Sequence, residues 1–270
     1  MSEPIFVFAT NESGHHENPM AVLAMHSYGA QKSQGRGLVG QSYAIPVLDR
    51  NGQRLSEERI VAEFNAFKEF ARSHPEMNFQ LTRIGCDTIG FRDNKVSKFF
   101  MDCSPNVTLP GVWERIRTPE YRVMAIVGSV NFSHKEIVED CLKMILDFYD
   151  QTTPITEFIV SDDEGVDFIA AAYLAGQGRP CRIIKADWDK DPKRAGAVRN
   201  RAIGLIATDL ILFDDGNCGK CAHMRKTANS EGLYLMEAAV SYTETHEQNR
   251  ILEKPEVAQK VRDLSANFFG

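Results

Sequence analysis

Long apolar runs are missing from this sequence: nowhere in its 270 residues do about 18 hydrophobic residues follow one another, the length a bilayer-spanning helix requires. Ahead of Ile5-Phe6-Val7-Phe8 stands only Met-Ser-Glu-Pro, without the basic stretch and long apolar stretch of a secretory leader. The expectation is a protein neither exported nor membrane-spanning. Basic excess is missing too. Lys and Arg number 31 against 37 Asp and Glu, a formal charge of −6, which works against broad binding to a phosphate backbone and makes nucleic acid an unlikely partner. The cysteines are few and dispersed. Cys86, Cys103, Cys141, Cys181, Cys218 and Cys221 lack the dense spacing of a disulfide scaffold, which favours a reducing compartment and a cytoplasmic location. No internal repeat or low-complexity tract stands out.

What is present suits an α/β protein of two domains. At 43% hydrophobic and 25% charged residues, the chain can build one large or two ordinary cores, and its length favours two. In the first half, Ile5 to Ala9 reads as a strand, Pro19 to Tyr28 as a helix, and the glycine-rich passage through Gly29, Gly35, Gly37 and Gly40 as loop. Ser42 to Pro46 reads as a strand closed by proline. Ser56-Glu57-Glu58-Arg59 opens a helix with Ile60, Phe64, Phe67, Phe70 and Ala71 at helical spacing. A strand over Asn78 to Ile84 breaks at Gly85, and a helix begins near Asp93. Pro110, Gly111 and Pro119 read as punctuation between domains, with the boundary near Thr118. The domains are therefore expected at 1–117 and 118–240, with a helical extension over 241–270 carrying Val257, Val261 and Leu264 as a stripe.

From Arg122 onward the pattern alternates regularly. Strands are expected at Val123–Val127, Glu157–Ser161, Cys181–Lys185, Asp209–Phe213 and Leu233–Leu235. Helices are expected at His134–Tyr149, Val166–Ala175, Gly196–Ala207 and Ala222–Ser230. Near-continuous apolar strands joined by helices argue for a doubly wound parallel sheet covered on both faces. Ligands of such a sheet sit outside the carboxyl ends of the strands. The loops to watch are Gly128-Ser129-Val130-Asn131, Ser161 to Asp167 with Gly165, Asp187-Trp188-Asp189, and Asp214 to Lys220 with Gly216. Gly196 to Asn200 opens a helix and adds the Arg199 guanidinium, a fixed cation with paired donors.

Three stretches of this half, Gly128-Ser129, Ala186-Asp187-Trp188-Asp189-Lys190, and Ala195-Gly196 with Arg199-Asn200, resemble the SLOG superfamily, relatives of the lysine-decarboxylase-like LOG proteins. The resemblance covers about Arg122 to Leu235. It implies a Rossmann-like sheet that binds a nucleotide or a nucleotide-derived signal, with N-glycosidic cleavage in some members. Where relatives commonly carry a Ser-Gly-Gly-Ala-Arg-Gly loop, this chain has Asp162, Asp163 and Glu164 ahead of Gly165. Three carboxylates repel phosphate by several kcal/mol in a poorly solvated site unless a cation intervenes.

In the first half, Ala9-Thr10-Asn11 with Gly14-His15-His16, Gly35-Arg36-Gly37 with Gln41 to Pro46, and Thr82-Arg83-Ile84-Gly85-Cys86 with Gly90 resemble a phage and bacterial family distantly similar to macro domains. That resemblance implies that Asn11, Gly35, Gly37, Arg83, Gly85, Cys86 and Gly90 lie near an ADP-ribose-like ligand. It also implies a phage-encoded source by analogy.

The expected function is sensing or sequestration of a nucleotide-derived small molecule by a homo-oligomer. The alternative is a hydrolase of nucleotide derivatives in which Asp163 or Glu164 is the general base and Arg199 holds the anion. No cofactor is identifiable. Cys218, Cys221 and His223 supply three of the four ligands a structural zinc needs, so no metal site is assigned. Each polar loop residue also has a plainer reading. The acidic turn serves as a helix cap, Trp188 as packing, and His15-His16 as a solvated pair.

Overall fold

A computed structural model describes residues 3–132 and 134–239, and the chain divides between Pro119 and Glu120 into two compact units. The extension expected over 241–270 lies outside the described residues.

In unit 1 the elements are β1 (Ile5–Asn11), α1 (Pro19–Ser27), β2 (Gly37–Val39), β3 (Ser42–Leu48), α2 (Glu57–Ser73), β4 (Phe79–Leu81), α3 (Cys86–Ile89), α4 (Asp93–Val96), a 3-10 turn (Ser97–Phe99), β5 (Val107–Thr108) and α5 (Gly111–Arg117). The sheet order is β2-β3-β1-β4-β5, parallel except for the edge strand β2. All seven residues of β1 are buried, as a central strand flanked on both sides must be. The Ser56 hydroxyl caps α2 by accepting the Arg59 N–H, with Glu57 and Glu58 in the first turn. Its apolar stripe buries Ile60, Phe64, Phe67 and Ala71, and each such phenylalanine contributes about 1.5 to 3 kcal/mol of hydrophobic stabilisation.

Four expectations change here. The passage expected as loop contains the short strand β2, paired antiparallel to β3. Pro46 does not close β3, which runs on to Leu48; β2 pairs no further than Ala44, so the missing proline N–H falls beyond the neighbour that would need it. The strand expected over Asn78 to Ile84 narrows to Phe79–Leu81. The stretch read as domain punctuation is only partly that: the units do part between Pro119 and Glu120, but Leu109 and Trp113 ahead of the break are buried core, and Trp113 stacks on Phe100 at 5.6 Å between ring centroids.

Unit 2 contains β6 (Val123–Gly128), α6 (Lys135–Gln151), β7 (Glu157–Ser161), α7 (Val166–Gly176), β8 (Cys181–Ile184), α8 (Ala195–Ile206), β9 (Asp209–Asp214), α9 (Gly219–Glu231) and β10 (Tyr234–Ala239). All five strands are parallel in the order β10-β9-β6-β7-β8. Alternate residues of β6 feed two cores. Met124 and Ile126 pack with Val138, Leu142 and Leu146 of α6 and with Ala170 and Leu174 of α7. Val123, Ala125 and Val127 pack with Ile203 of α8 and with Met224 and Ala228 of α9. The expected parallel sheet with both faces covered is what the chain forms.

The strand order reverses once. From β6 the chain adds β7 and β8 on one side, then α8 carries it back across to β9 and β10 on the other. Crossovers of one hand then require α6 and α7 on one face and α8 and α9 on the opposite face, which is the observed partition.

Candidate functional site

The reversal between β6 and β9 is the point where two neighbouring loops lead away to opposite faces, and in open parallel sheets the gap between such loops is where ligands sit. Ser129, just past β6, bridges it: its hydroxyl donates to Asp215 Oδ2 at 2.6 Å, and its N–H donates to the Phe213 carbonyl at 3.0 Å.

Two glycines let the first turn of α7 press against this loop. A Cβ on Gly128 would lie 2.6 Å from Val166 Cβ and 2.8 Å from the Phe213 oxygen. Gly165 has a φ of +71°, and a Cβ there would lie 2.4 Å from the Ser129 carbonyl oxygen. The glycines expected to make room for a ligand make room for the chain itself.

Beneath the loop, the fully buried Asp167 accepts the Gly128 N–H and the Ser161 N–H, both at 3.0 Å, and the Ser161 hydroxyl at 2.5 Å. Lys220, from the first turn of α9, donates to Asp167 Oδ2 at 2.7 Å and to Ser161 Oγ at 2.9 Å, and pairs with Asp163 Oδ2 at 2.9 Å. Arg199 reaches in from α8. Its Nη1 donates to Asp162 Oδ1 at 2.7 Å and to Asp163 Oδ1 at 2.8 Å, its Nη2 to Asp163 Oδ2 at 2.7 Å, and its Nε to Asn200 Oδ1 at 3.3 Å. Asp162 also accepts the Ala186 N–H at 3.1 Å, tying the loop after β8 to the loop after β7.

Cations do intervene at the acidic loop, and both come from this chain. The expected service of Arg199 to a ligand anion is taken by Asp162 and Asp163, and its side chain is only 3% exposed. Burial pushes the Asp163 carboxyl up, but hydrogen bonds from Arg199 and then Lys220 outweigh it and hold the pKa at about 2. Burial works against the Arg199 charge, and its two aspartates more than restore it, raising its pKa. Two cations face the three carboxylates Asp162, Asp163 and Asp167, leaving one negative charge in excess. The acidic turn is no helix cap: Gly165 occupies the N-cap position of α7 without a side-chain bond, and Glu164 is exposed.

The remaining expected residues of unit 2 lie farther along the edge. Asp187 Oδ1 accepts the Lys190 N–H in a surface turn. Trp188 is 52% exposed, with its ring beside Gly196. Gly216 has a φ of +83°, and a Cβ there would meet nothing within 4 Å. Asn200 is buried next to His223, whose pKa is lowered by burial and then by Arg201 and Lys226. Asp167, Lys220 and Asp215 lie inside the loops marked by the sequence without being singled out there; the structure brings all three into this cluster. A signal for Asp167 exists, since it is the one charge in the apolar run Val166 to Ala172, a place where a carboxylate requires buried partners.

Unit 1 also reverses its strand order, between β1 and β4. The residues implied by the macro-like resemblance fall there into two groups. Asn11 Oδ1 accepts the His15 N–H at 2.8 Å and the Ser13 hydroxyl at 3.0 Å, and Gly35 packs on the Asn11 and Glu12 backbone, where a Cβ would lie 2.2 Å from the Asn11 oxygen. Gly35 lines an open polar basin of about 420 Å3 with Glu12, Ser33, Arg36 and Arg50, while Gly37 belongs to β2. Arg83 instead lines a separate small hollow, with room for about one water, beside Ala9, Asn18, Met20, Thr82 and Asp87. Its guanidinium is paired with Asp93, which also accepts the Trp113 indole N–H at 2.6 Å and the Cys86 thiol at 3.4 Å. Gly85 and Gly90 bracket α3 in left-handed conformations. Of the histidine pair, only His15 is solvated; His16 is buried between Thr10 Oγ1 at 2.8 Å and the Gln31 carbonyl at 2.9 Å.

Among the described residues no helix is long and apolar enough to cross a membrane. No protein-family model, curated protein or solved structure matches this chain.

Proposed function

We propose that unit 2 binds a nucleotide-derived small molecule at the carboxyl edge of its sheet, and that it senses or sequesters that molecule without transforming it. The observation that carries this reading is the reversal of strand order between β6 and β9, with Ser129 and Asp215 at its mouth. The resemblance of both halves to nucleotide-ligand folds supports it.

The charge arrangement narrows the chemistry. Arg199 and Lys220 already serve Asp162, Asp163 and Asp167, so a phosphate meets no free cation in this cluster. Carboxylates are acceptors for hydroxyl and amino groups, so Asp215 and Asp163 suit the ribose and base of a ligand better than its phosphates. The same pairing disfavours hydrolysis with Asp163 as general base. A carboxylate with a pKa of about 2, held by two cations, has little affinity for a substrate proton near neutral pH.

Isothermal titration with NAD, ADP-ribose, cyclic ADP-ribose isomers, cyclic nucleotides and adenosine tests the reading. Binding of at least one is expected, weakened about tenfold by Asp215→Asn, the loss of roughly one charge-assisted hydrogen bond. Absence of heat across the panel sinks the proposal, and chromatographic detection of product, with or without magnesium, replaces it with the hydrolase.

A further inference from the structure

One motif remains outside the site chemistry. Cys218 and Cys221 flank Gly219 and Lys220 at the start of α9, a helix of 13 residues. Cys218 is the N-cap residue. Its carbonyl accepts the first helical N–H, from Ala222 at 3.1 Å, and its sulfur accepts the Cys221 N–H at 3.1 Å. Positions three apart across a helical turn lie about 5 Å from each other along the backbone trace, inside the range a disulfide spans. The sulfurs already interact: burial, and next the neighbouring Cys218 sulfur, push the Cys221 thiol well up. Exposure divides the pair into two roles. Cys218 is half-buried and reachable, whereas Cys221 is fully buried under the turn with its thiol 3.5 Å from the Phe213 carbonyl oxygen. The Cys221 N–H, already bonded to the Cys218 sulfur, points at the atom that attacks.

We propose that Cys218 and Cys221 are a redox-active dithiol that closes into a disulfide by exchange with a low-molecular-weight disulfide. Cys218, as thiolate after releasing its proton to solvent, attacks one sulfur of the incoming disulfide and expels one small thiolate, leaving a mixed disulfide on Cys218. Cys221 then loses its proton, attacks the Cys218 sulfur and expels the second small thiolate. Two thiols of the chain are oxidised, and one small disulfide is reduced to two thiols. This inference stands independently of the ligand proposed for unit 2.

The full chain is equilibrated in mixtures of reduced and oxidised glutathione, its remaining thiols are alkylated, and tryptic peptides are weighed. Cleavage after Lys220 separates the two cysteines, so the disulfide appears as peptide 202–220 linked to peptide 221–225. We expect the linked pair in the folded chain at a yield set by the glutathione ratio, reverting on reduction, and with a closing constant at least about tenfold above that of the same chain in urea. Cys221→Ala is expected to stop at a stable glutathione adduct on Cys218. Cys218→Ser, which retains a good N-cap residue, is expected to leave Cys221 unmodified. Parity between folded and unfolded chains, a persistent glutathione adduct in the wild type, or linkage of a different cysteine pair overturns the proposal.

Discussion

Replacing Arg199 with methionine removes the cation that holds the acidic loop while leaving a side chain of similar length in α8. Three charge-paired hydrogen bonds vanish, one to Asp162 and two to Asp163, each worth about 1.5 to 3 kcal/mol against an unmade contact. Two effects reduce the loss. The carboxylates retain 20 to 23% side-chain exposure and partly rehydrate, and Lys220 stays on Asp163. The net destabilisation of unit 2 is therefore about 3 kcal/mol, the lower end of what removing one partner from a buried ion pair costs. Its pH dependence carries a definite sign. The Asp163 pKa is depressed to about 2 from an ordinary 3.8, so its pairing stabilises the fold above pH 3.8 and that contribution fades as the pH falls toward 2. The gap between wild type and Arg199→Met should be full at pH 7 and narrow across that acid window. Amide hydrogen exchange in β7 and α8 measures unit 2 without interference from unit 1. A gap below about 1 kcal/mol at pH 7, the level of an exposed pair, or one that does not shrink in acid, refutes the reasoning.

Gly165→Ala should cost at least about 2 kcal/mol, combining positive-φ strain with a Cβ 2.4 Å from the Ser129 oxygen; urea unfolding followed by far-ultraviolet circular dichroism checks it, and wild-type stability contradicts it. In unit 1, Asp93→Asn loses its ion pair with Arg83 and weakens the acceptor for the Trp113 indole, with an expected cost of about 2 kcal/mol. Because burial opposes ionisation of Asp93 while Arg83 hydrogen bonding wins and lowers its pKa, that cost should also fall as the pH drops below the usual carboxylate range. Trp113 emission during urea unfolding, recorded with Trp188→Phe in every variant so that Trp113 is the sole tryptophan, reports it.

Legibility in the sequence tracks how far apart the deciding residues lie. Over 123–213 the apolar strands and amphipathic helices carry their own period, so β6, expected at Val123–Val127, forms at Val123–Gly128, and α7, expected at Val166–Ala175, forms at Val166–Gly176. A strand of two or three residues has no period to detect, which is why β2 and β5 escape a reading of the sequence. Pro110 and Pro119 disguise α5 as a linker, although Pro110 is only the N-cap of a helix whose tryptophan is core.

In unit 2, local composition determined which segments are strands, which are helices and where the loops of the carboxyl edge begin, because hydrophobic burial at a fixed period is a short-range property of a chain. It also placed an acidic turn at that edge, one that repels phosphate unless a cation intervenes. Which cation was a matter of tertiary structure alone. Arg199 stands 36 residues from Asp163 and reaches it, as does Lys220, because α8 crosses the sheet and the strand order turns back at β6, and a Coulombic partner is chosen by distance in space, without regard to separation along the chain.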